Sequence, residues 1–219
     1  MKKWLPEMIV LVLIVLPVLY LLRVYPSLPP IIPTHFGIDG KPNGFSEKHQ
    51  MIWIILFMSL LSLGTYLLIK YLPRIDPKKT AALGSGNLQK IAIAVVALLS
   101  AIMICMLYAS MHGSLSFSKL FNPLMGIFFM VVGNLMYNIK PNYFVGIRIP
   151  WTLENENNWR ATHHLGGKLW FIGGILITIG TLFLPAQTGE YFFMFCTLIL
   201  AIVPIVYSFV YFKKHTTSV

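Results

Sequence analysis

Six apolar segments run through the chain, and each is long enough, or nearly so, to cross a lipid bilayer. A spanning helix needs about 20 predominantly apolar residues, and the first and fifth segments are close to the short limit. The segments cover approximately residues 8–22, 51–69, 91–110, 123–139, 169–184 and 191–212. The sequence therefore predicts an all-α integral membrane protein with six transmembrane helices.

The composition excludes an ordinary soluble protein. Charged residues make up only 11% of the chain and hydrophobic residues 57%, whereas a soluble domain carries about 25% charged residues. The net charge of +10 would suggest nucleic-acid binding in a soluble protein, but in a membrane protein basic residues collect on cytoplasmic loops. We therefore expect membrane lipids as partners and no direct contact with nucleic acid.

The distribution of Lys and Arg predicts how the helices are oriented. The N-terminus, the second and fourth connections and the C-terminus carry 13 of these residues, and the remaining connections carry four. Because positively charged loops stay in the cytoplasm, we expect both termini inside. One long extracellular loop then covers residues 23–50, and one long cytoplasmic loop covers residues 140–168.

The predicted spans carry few polar groups. No span has a charged residue at its centre, which disfavours an ion-coupled transporter because such proteins keep a functional intramembrane charge. Asn134 and Asn138 share one face of the fourth helix, where we expect interhelical hydrogen bonds, with a ligand contact as the alternative. Gly166, Gly173 and Gly180 recur every seven residues and predict the close approach of another helix.

Proline and turn residues dominate the extracellular loop. Its four prolines between residues 26 and 33 favour an extended backbone, and "GIDGKPNG" is typical of a turn. Ser46 is expected to cap the second helix, with Glu47 in its first turn.

Three residues of this loop, His35, Phe36 and Asp39, are candidates for binding at the outer face. His35, Asp39 and His49 could approach one another, but a metal site needs three or four ligands in a closed geometry. We therefore predict no metal site here.

The cytoplasmic loop contains more ordered chemistry. Its segment "IKPNYFVGIRIP" is predicted to be extended, and Arg148 within it needs an anionic or polar partner such as a lipid phosphate. Thr152 is expected to cap a helix on which Trp159, His163 and Trp170 form one stripe. Such a helix would lie in the membrane interface with its aromatic side in the headgroups.

No catalytic constellation stands out. Glu156 and His163 could form a base and its orienting group, but the adjacent His163 and His164 diverge by about 100° on a helix, and no H-E-x-x-H motif occurs. We expect a protein without enzymatic activity and without a cofactor, and an interfacial membrane enzyme remains an alternative.

The stretch from Gly133 to Trp170 carries Gly, Asn, Trp and His residues at a dense, fixed spacing. They are Gly133, Asn134, Lys140, Asn142, Gly146, Ile147, Arg148, Pro150, Trp151, Thr152, Leu153, Trp159, Thr162, His163 and Gly166. This pattern resembles the signature region of the SdpI family of bacterial membrane proteins. The family usually has Thr where this chain has Ile149 and Arg where it has His164, so the resemblance implies no essential hydroxyl or cation at those two positions.

Upstream, "LPPIIPTHFGIDGKPNGFSEK" resembles a module of unknown function that is often fused to the N-terminal side of this family. The resemblance thus divides the chain into an N-terminal membrane module, residues 1–88, and an SdpI-like membrane module, residues 89–219.

The resemblance implies immunity to a membrane-active toxin, the sporulation-delaying killing peptide, in the bacterial cytoplasmic membrane. It also implies signalling, in which the toxin-occupied protein captures a small cytoplasmic transcription repressor. The signature residues Asn134, Lys140, Asn142, Gly146, Arg148, Pro150, Trp151, Thr152, Trp159 and His163 are then the expected cytoplasmic binding motif. The alternative is a transporter or flippase for a small molecule, lipid or peptide, favoured by two long loops in equivalent places after the first and fourth helices.

Overall fold

The computed structural model describes residues 4–37, 42–75, 85–112, 117–142 and 144–216. Six long helices in these ranges are long and apolar enough to cross a membrane, so the six predicted spans are confirmed. They are α1 (Leu5–Val24), α2 (Lys48–Ile75), α3 (Ser85–His112), α4 (Phe117–Met136), α6 (Glu156–Phe183) and α7 (Ala186–Thr216), and the four-residue α5 (Pro150–Leu153) connects α4 to α6.

The helices alternate in direction, which gives the bundle two distinct ends. The loop end carries the start of α1, the end of α7 and the connection of residues 137–155, which we name the motif loop. The hairpin end carries the connection between α1 and α2. The expectation that the loop end faces the cytoplasm rests on the distribution of Lys and Arg.

The connection between α1 and α2 folds as a β-hairpin. Strand β1 (Ile31–Phe36) pairs antiparallel with β2 (Pro42–Glu47). The expectation that Ser46 caps α2 is wrong, because Ser46 lies in β2 opposite Ile32. Glu47 also belongs to the strand, and the amide of Lys48 donates to the carbonyl of Pro30 at 2.9 Å. The backbone groups of this segment are thus satisfied by the partner strand before the helix begins.

The hairpin is anchored to the first three helices by apolar packing. Ile32 is fully buried in a cluster with Leu21 of α1, Met51 of α2 and Leu107 of α3. The burial of one strand residue among three helices holds the hairpin across the end of the bundle.

The helix predicted to lie in the interface is instead the beginning of α6. This helix runs without a break for 28 residues, about 42 Å, so the expectation of a separate interfacial helix is wrong. Thr152 is not its cap either. Asn155 precedes the helix, and its side-chain oxygen accepts from the amide of Asn158 at 2.9 Å. The polar first turns remain in the helix because the motif loop covers them.

The closest helix contact joins α4 to α6 through Gly133 and Gly167, for which the sequence predicted no contact between helices. A Cβ on Gly133 would lie 2.6 Å from the amide nitrogen of Phe171, and one on Gly167 would lie 2.8 Å from the carbonyl of Gly133. The two backbones therefore touch, as small residues allow in membranes. The predicted stripe faces α7 instead, with Gly173 against Leu200 and Gly180 against Phe192.

Helices α6 and α7 are joined by a hydrogen bond deep in the bundle. Pro204 has no N–H, so the carbonyl of Leu200, four residues earlier, has no helical donor. The indole Nε1 of Trp170 on α6 donates to that carbonyl at 2.8 Å. A group that a bilayer would leave unsatisfied is thus paired by a neighbouring helix.

The outward faces of the bundle are apolar. Large side chains such as Trp53 and Phe57 on α2 and Phe195 and Val206 on α7 are more than half exposed. Contiguous apolar surface of this kind is stable against lipid and not against water. The chain is accordingly a multi-pass membrane protein.

Candidate functional site

Asn142 organises the first half of the motif loop. Its Nδ2 donates to the carbonyls of Lys140 and Val145, both at 2.9 Å, and its Oδ1 accepts from the amides of Phe144 (2.8 Å) and Val145 (2.7 Å). The side chain uses two donors and two acceptor positions of its amide. The segment is therefore a tight turn around a buried amide, where an extended strand was predicted.

Gly146 places the loop directly over His163. Its φ of 121° is a conformation that residues with a side chain rarely adopt. A Cβ there would also run into Nε2 of His163 and lie 3.2 Å from Cη2 of Trp159. Both the backbone conformation and the close approach therefore require glycine at this position.

His163 is a brace between α6 and the loop. Its Nδ1 donates to the carbonyl of Trp159 at 2.8 Å, and its Nε2 accepts from the amide of Ile147 at 2.9 Å. A carbonyl can only accept and an amide N–H can only donate, so the bonds define a neutral ring protonated at Nδ1. The ring is fully buried and stacks on Trp159 with 4.0 Å between centroids.

Trp159 closes the other side of the loop. Its side chain is 0% exposed, and its Nε1 donates to the carbonyl of Ile139 at 2.9 Å. The indole packs with Leu72 of α2 and Leu88 of α3. Trp159 thus connects the motif loop to the N-terminal half of the bundle.

Thr152 ends the loop by holding the start of α5. Its hydroxyl donates to the carbonyl of Ile147 at 2.8 Å and accepts from the amide of Ile149 at 3.2 Å. The side chain is fully buried. Pro150 occupies the first position of α5, where a missing N–H costs nothing.

A polar cluster fixes the loop to α7. Nε1 of Trp151 donates to the hydroxyl of Ser208 at 2.9 Å. Nδ2 of Asn158 donates to the carbonyl of Ser208 at 3.0 Å, and its Oδ1 accepts from Thr162 at 3.0 Å. Sequence reasoning missed Asn158 and Ser208. For Ser208 a signal was available, because it is a serine in an apolar span and such hydroxyls form hydrogen bonds to neighbouring helices.

The buried signature residues therefore brace the loop, and a smaller group reaches the surface. Asn142, Thr152, Trp159 and His163 are buried, whereas Lys140, Arg148 and Pro150 are exposed. Arg148 lines a crevice of about 410 Å³ that is otherwise apolar and lies between α4 and α7. A cation at the mouth of an apolar crevice suits an anionic or amphipathic partner.

Asn134 faces a second, shallower crevice between α4 and α6. It is exposed there beside Tyr137 and Lys168. The ring of Tyr137 stacks on His164 at 4.5 Å, and the ammonium group of Lys168 lies 5.8 Å from its centroid. Among the described residues Asn134 has no interhelical hydrogen bond, contrary to the expectation.

The proposed base and its orienting group are not brought together. Glu156 pairs with Arg160 at 2.9 Å on an exposed face, and both ring nitrogens of His163 are engaged with the backbone. His163 therefore has no nitrogen left for proton transfer in this conformation.

The outer candidates lie on the hairpin. His35 is exposed, and its Nδ1 is hydrogen-bonded to Oδ1 of Asn43 on the opposite strand. Phe36 is half-buried at the end of β1. Asp39 lies outside the described residues. His49 pairs with Glu47 at 3.1 Å.

Comparison with known proteins shows which families this chain is similar to. Residues 138–208 match the model of the SdpI/YfhL protein family, a range that spans the braced loop and its partner Ser208. Residues 12–60 match a domain of unknown function, DUF1648. The whole chain is 25% identical over 221 residues to Immunity protein SdpI of Bacillus subtilis (strain 168), with full coverage of both chains. No solved structure matches the chain. Its C-terminal half thus resembles the SdpI/YfhL protein family, and its N-terminal part resembles a DUF1648 module.

Proposed function

We propose that the protein is a membrane immunity protein that protects its cell from a membrane-active toxin peptide. The observation that supports this most is the similarity, along the full length of the chain, to the Bacillus immunity protein. The site adds a physical argument against chemistry. Its polar side chains already form hydrogen bonds within the protein. They therefore fix the shape of a surface and are not available to act on a substrate.

The same geometry suggests a division of labour in the motif. The buried members, among them Asn142 and His163, are positioning residues, because they hold the loop against α6. Arg148 is the residue we assign to contact with a partner. In the predicted orientation the loop faces the cytoplasm, where the proposed partner is a small transcription repressor.

Signalling by this route sets one energetic condition. Toxin must bind one arrangement of the motif loop more tightly than another, since a ligand with equal affinity for both shifts nothing. The loop is suited to two discrete arrangements because separate hydrogen bonds to α6 and to α7 hold it. Release of one contact, such as that between Trp151 and Ser208, would free a segment and leave the rest in place.

A protection assay with two matched arginine variants tests the proposal. The chain is expressed in a strain sensitive to the sporulation-delaying killing peptide, and survival is measured after challenge. We expect the wild type to protect, Arg148→Ala to lose protection at equal membrane levels, and Arg160→Ala to retain it. Arg160 is the control because its exposed pair with Glu156 contributes only about 0.3–0.5 kcal/mol.

Two outcomes would contradict the proposal in different ways. A wild type that gives no protection would remove the immunity role toward this peptide. Full protection by Arg148→Ala would keep immunity and remove Arg148 from the contact surface.

A lipid or peptide flippase is the second candidate, and the crevice beside Arg148 favours it. Its apolar walls and single cation match the tail and phosphate of a phospholipid. Reconstituted protein that speeds the loss of fluorescent lipid from the inner leaflet, with Arg148→Ala inactive, would support this candidate. The absence of any lipid movement above empty liposomes would exclude it for lipids.

A further inference from the structure

A polar cavity lies at the hairpin end, on the opposite side of the membrane from the motif loop. It has a volume of about 270 Å³ and is enclosed by β1, α3, α4 and the start of α7. Phe36, Phe121, Ser118, Asn122 and Glu190 are among the residues that line it. None of these belongs to the signature motif; Phe36 was a candidate from the sequence, as was His35, which also lines the cavity.

Asn122 leaves an unpaired acceptor at this cavity. The side chain is only 2% exposed, and its Nδ2 donates to Oε2 of Glu190 at 2.8 Å. A carboxylate can only accept, so the amide cannot be turned the other way. Its Oδ1 therefore points away from Glu190, and it has no hydrogen-bond partner. The hydroxyl of Ser118, also buried, has none either.

Buried acceptors without a donor are rare in folded proteins, because the loss of their water is not repaid. Asn122 and Ser118, which carry the orphan oxygen and the unpaired hydroxyl, both line this cavity. The described part of the chain therefore supplies no hydrogen-bond partner to either of these two oxygens.

The charge in the cavity is also incompletely balanced. Glu190 forms no ion pair with any Lys, Arg or His of the described residues. The nearest cation along α4 is Lys119, one turn before Asn122. Its ammonium group donates to the carbonyls of Thr181, Leu182 and Leu184 at the end of α6. Lys119 is thus committed to a helix C-terminus, where cations are stabilised.

We infer that this cavity binds an ammonium group carried on an apolar ligand. The carboxylate of Glu190, the free oxygen of Asn122 and the hydroxyl of Ser118 accept its N–H groups. The rings of Phe36 and Phe121 receive the apolar part, and aromatic faces also attract cations. In the terms of the proposed function, on which this last step rests, the group is an amino group of the toxin peptide.

The binding test uses the 2-phenylethylammonium ion, which combines a primary ammonium group with one ring. Saturation-transfer NMR measures its binding to the full chain in nanodiscs, with empty nanodiscs as background. We expect binding by the wild type and at least about tenfold weaker binding by Glu190→Gln, because that change removes the charge paired with the ligand. N-acetyl-2-phenylethylamine, which lacks the charge, should bind as weakly as the ammonium ion binds to the variant.

The variants are chosen so that folding does not confuse the result. A glutamine at position 190 still accepts from Asn122, so Glu190→Gln should unfold at the wild-type temperature. Glu156→Gln, at the loop end, is the matched control and should bind the ion normally. Wild-type protein that fails to bind the ion, or binds the acetylated compound equally well, would overturn the inference and leave a cavity filled by water only.

The same variants separate this inference from the immunity proposal. If Glu190→Gln protects cells and binds the ion as the wild type does, the cavity inference is wrong and immunity stands. If the wild type gives no protection while binding of the ion still depends on Glu190, the cavity binds ammonium groups and the immunity proposal is wrong.

Discussion

At the residue scale, the motif is a set of hydrogen-bonding groups that satisfy one another inside the protein. Asn142 uses its whole amide, His163 uses both ring nitrogens, and Thr152 both donates and accepts. Residues of this kind are costly to replace, because each leaves a buried partner without a bond. Their spacing in the sequence therefore reflects the shape of one loop.

Gly146 gives the sharpest residue-scale prediction. Gly146→Ala should destabilise the protein by about 2 kcal/mol or more, because the new Cβ meets His163 and the positive φ is strained. The measurement is thermal unfolding followed by tryptophan fluorescence in detergent, since Trp159 lies against the same glycine.

Gly64→Ala on α2 is the matched control for this change. A Cβ at Gly64 meets nothing within 4 Å, so the substitution should be neutral or stabilise by about 0.5–1 kcal/mol. Equal unfolding temperatures for the two variants would show that Gly146 does not need to be glycine.

At the scale of elements, the spans were predictable and their ends were not. Six runs of apolar residues are a strong signal, because lipid requires them. The first turns of α6 are polar, so the sequence indicated a separate helix at the interface. In the structure these turns belong to α6, because the motif loop and α7 supply the hydrogen-bond partners that lipid lacks.

The hairpin and the glycine contact were missed for a related reason. Pro33 and Gly44 are poor strand residues, and only pairing with the opposite strand makes this segment β-structure. Gly133 and Gly167 each look unremarkable on their own helix. Both glycines matter because they let the two helices touch, and no sequence pattern within a single helix predicts that contact.

The bond between Trp170 and Leu200 yields the prediction for elements. Trp170→Phe should cost about 1–3 kcal/mol, because it leaves the carbonyl of Leu200 unpaired within the membrane. In a Pro204→Ala background, the new backbone N–H can pair with that carbonyl. The cost of Trp170→Phe should therefore shrink in that background.

A double-mutant cycle of unfolding free energies measures this coupling. The two single variants and the double variant are compared with the wild type under one detergent condition. Costs that simply add would show that the indole contributes through packing alone, for example against Phe129.

At the scale of the whole molecule, α7 connects the two candidate sites. Glu190 near its start holds Asn122 at the hairpin end, and Ser208 near its end holds Trp151 and Asn158 at the loop end. The 18 positions that separate Glu190 from Ser208 span about 27 Å of helix. A ligand that displaces Glu190 thus acts on the element that anchors the motif loop.

This connection predicts a response of the loop to a ligand at the far end. Saturating 2-phenylethylammonium should change hydrogen–deuterium exchange in residues 144–152 by about fivefold or more, the lower limit of a typical coupling between sites. Glu190→Gln should abolish the response because the ion no longer binds. Ser208→Ala should also abolish it, although the cavity is intact and the ion still binds, because the indole of Trp151 then loses its hydroxyl partner on α7. A bound ion that leaves loop exchange unchanged in the wild type would show that the two ends act independently.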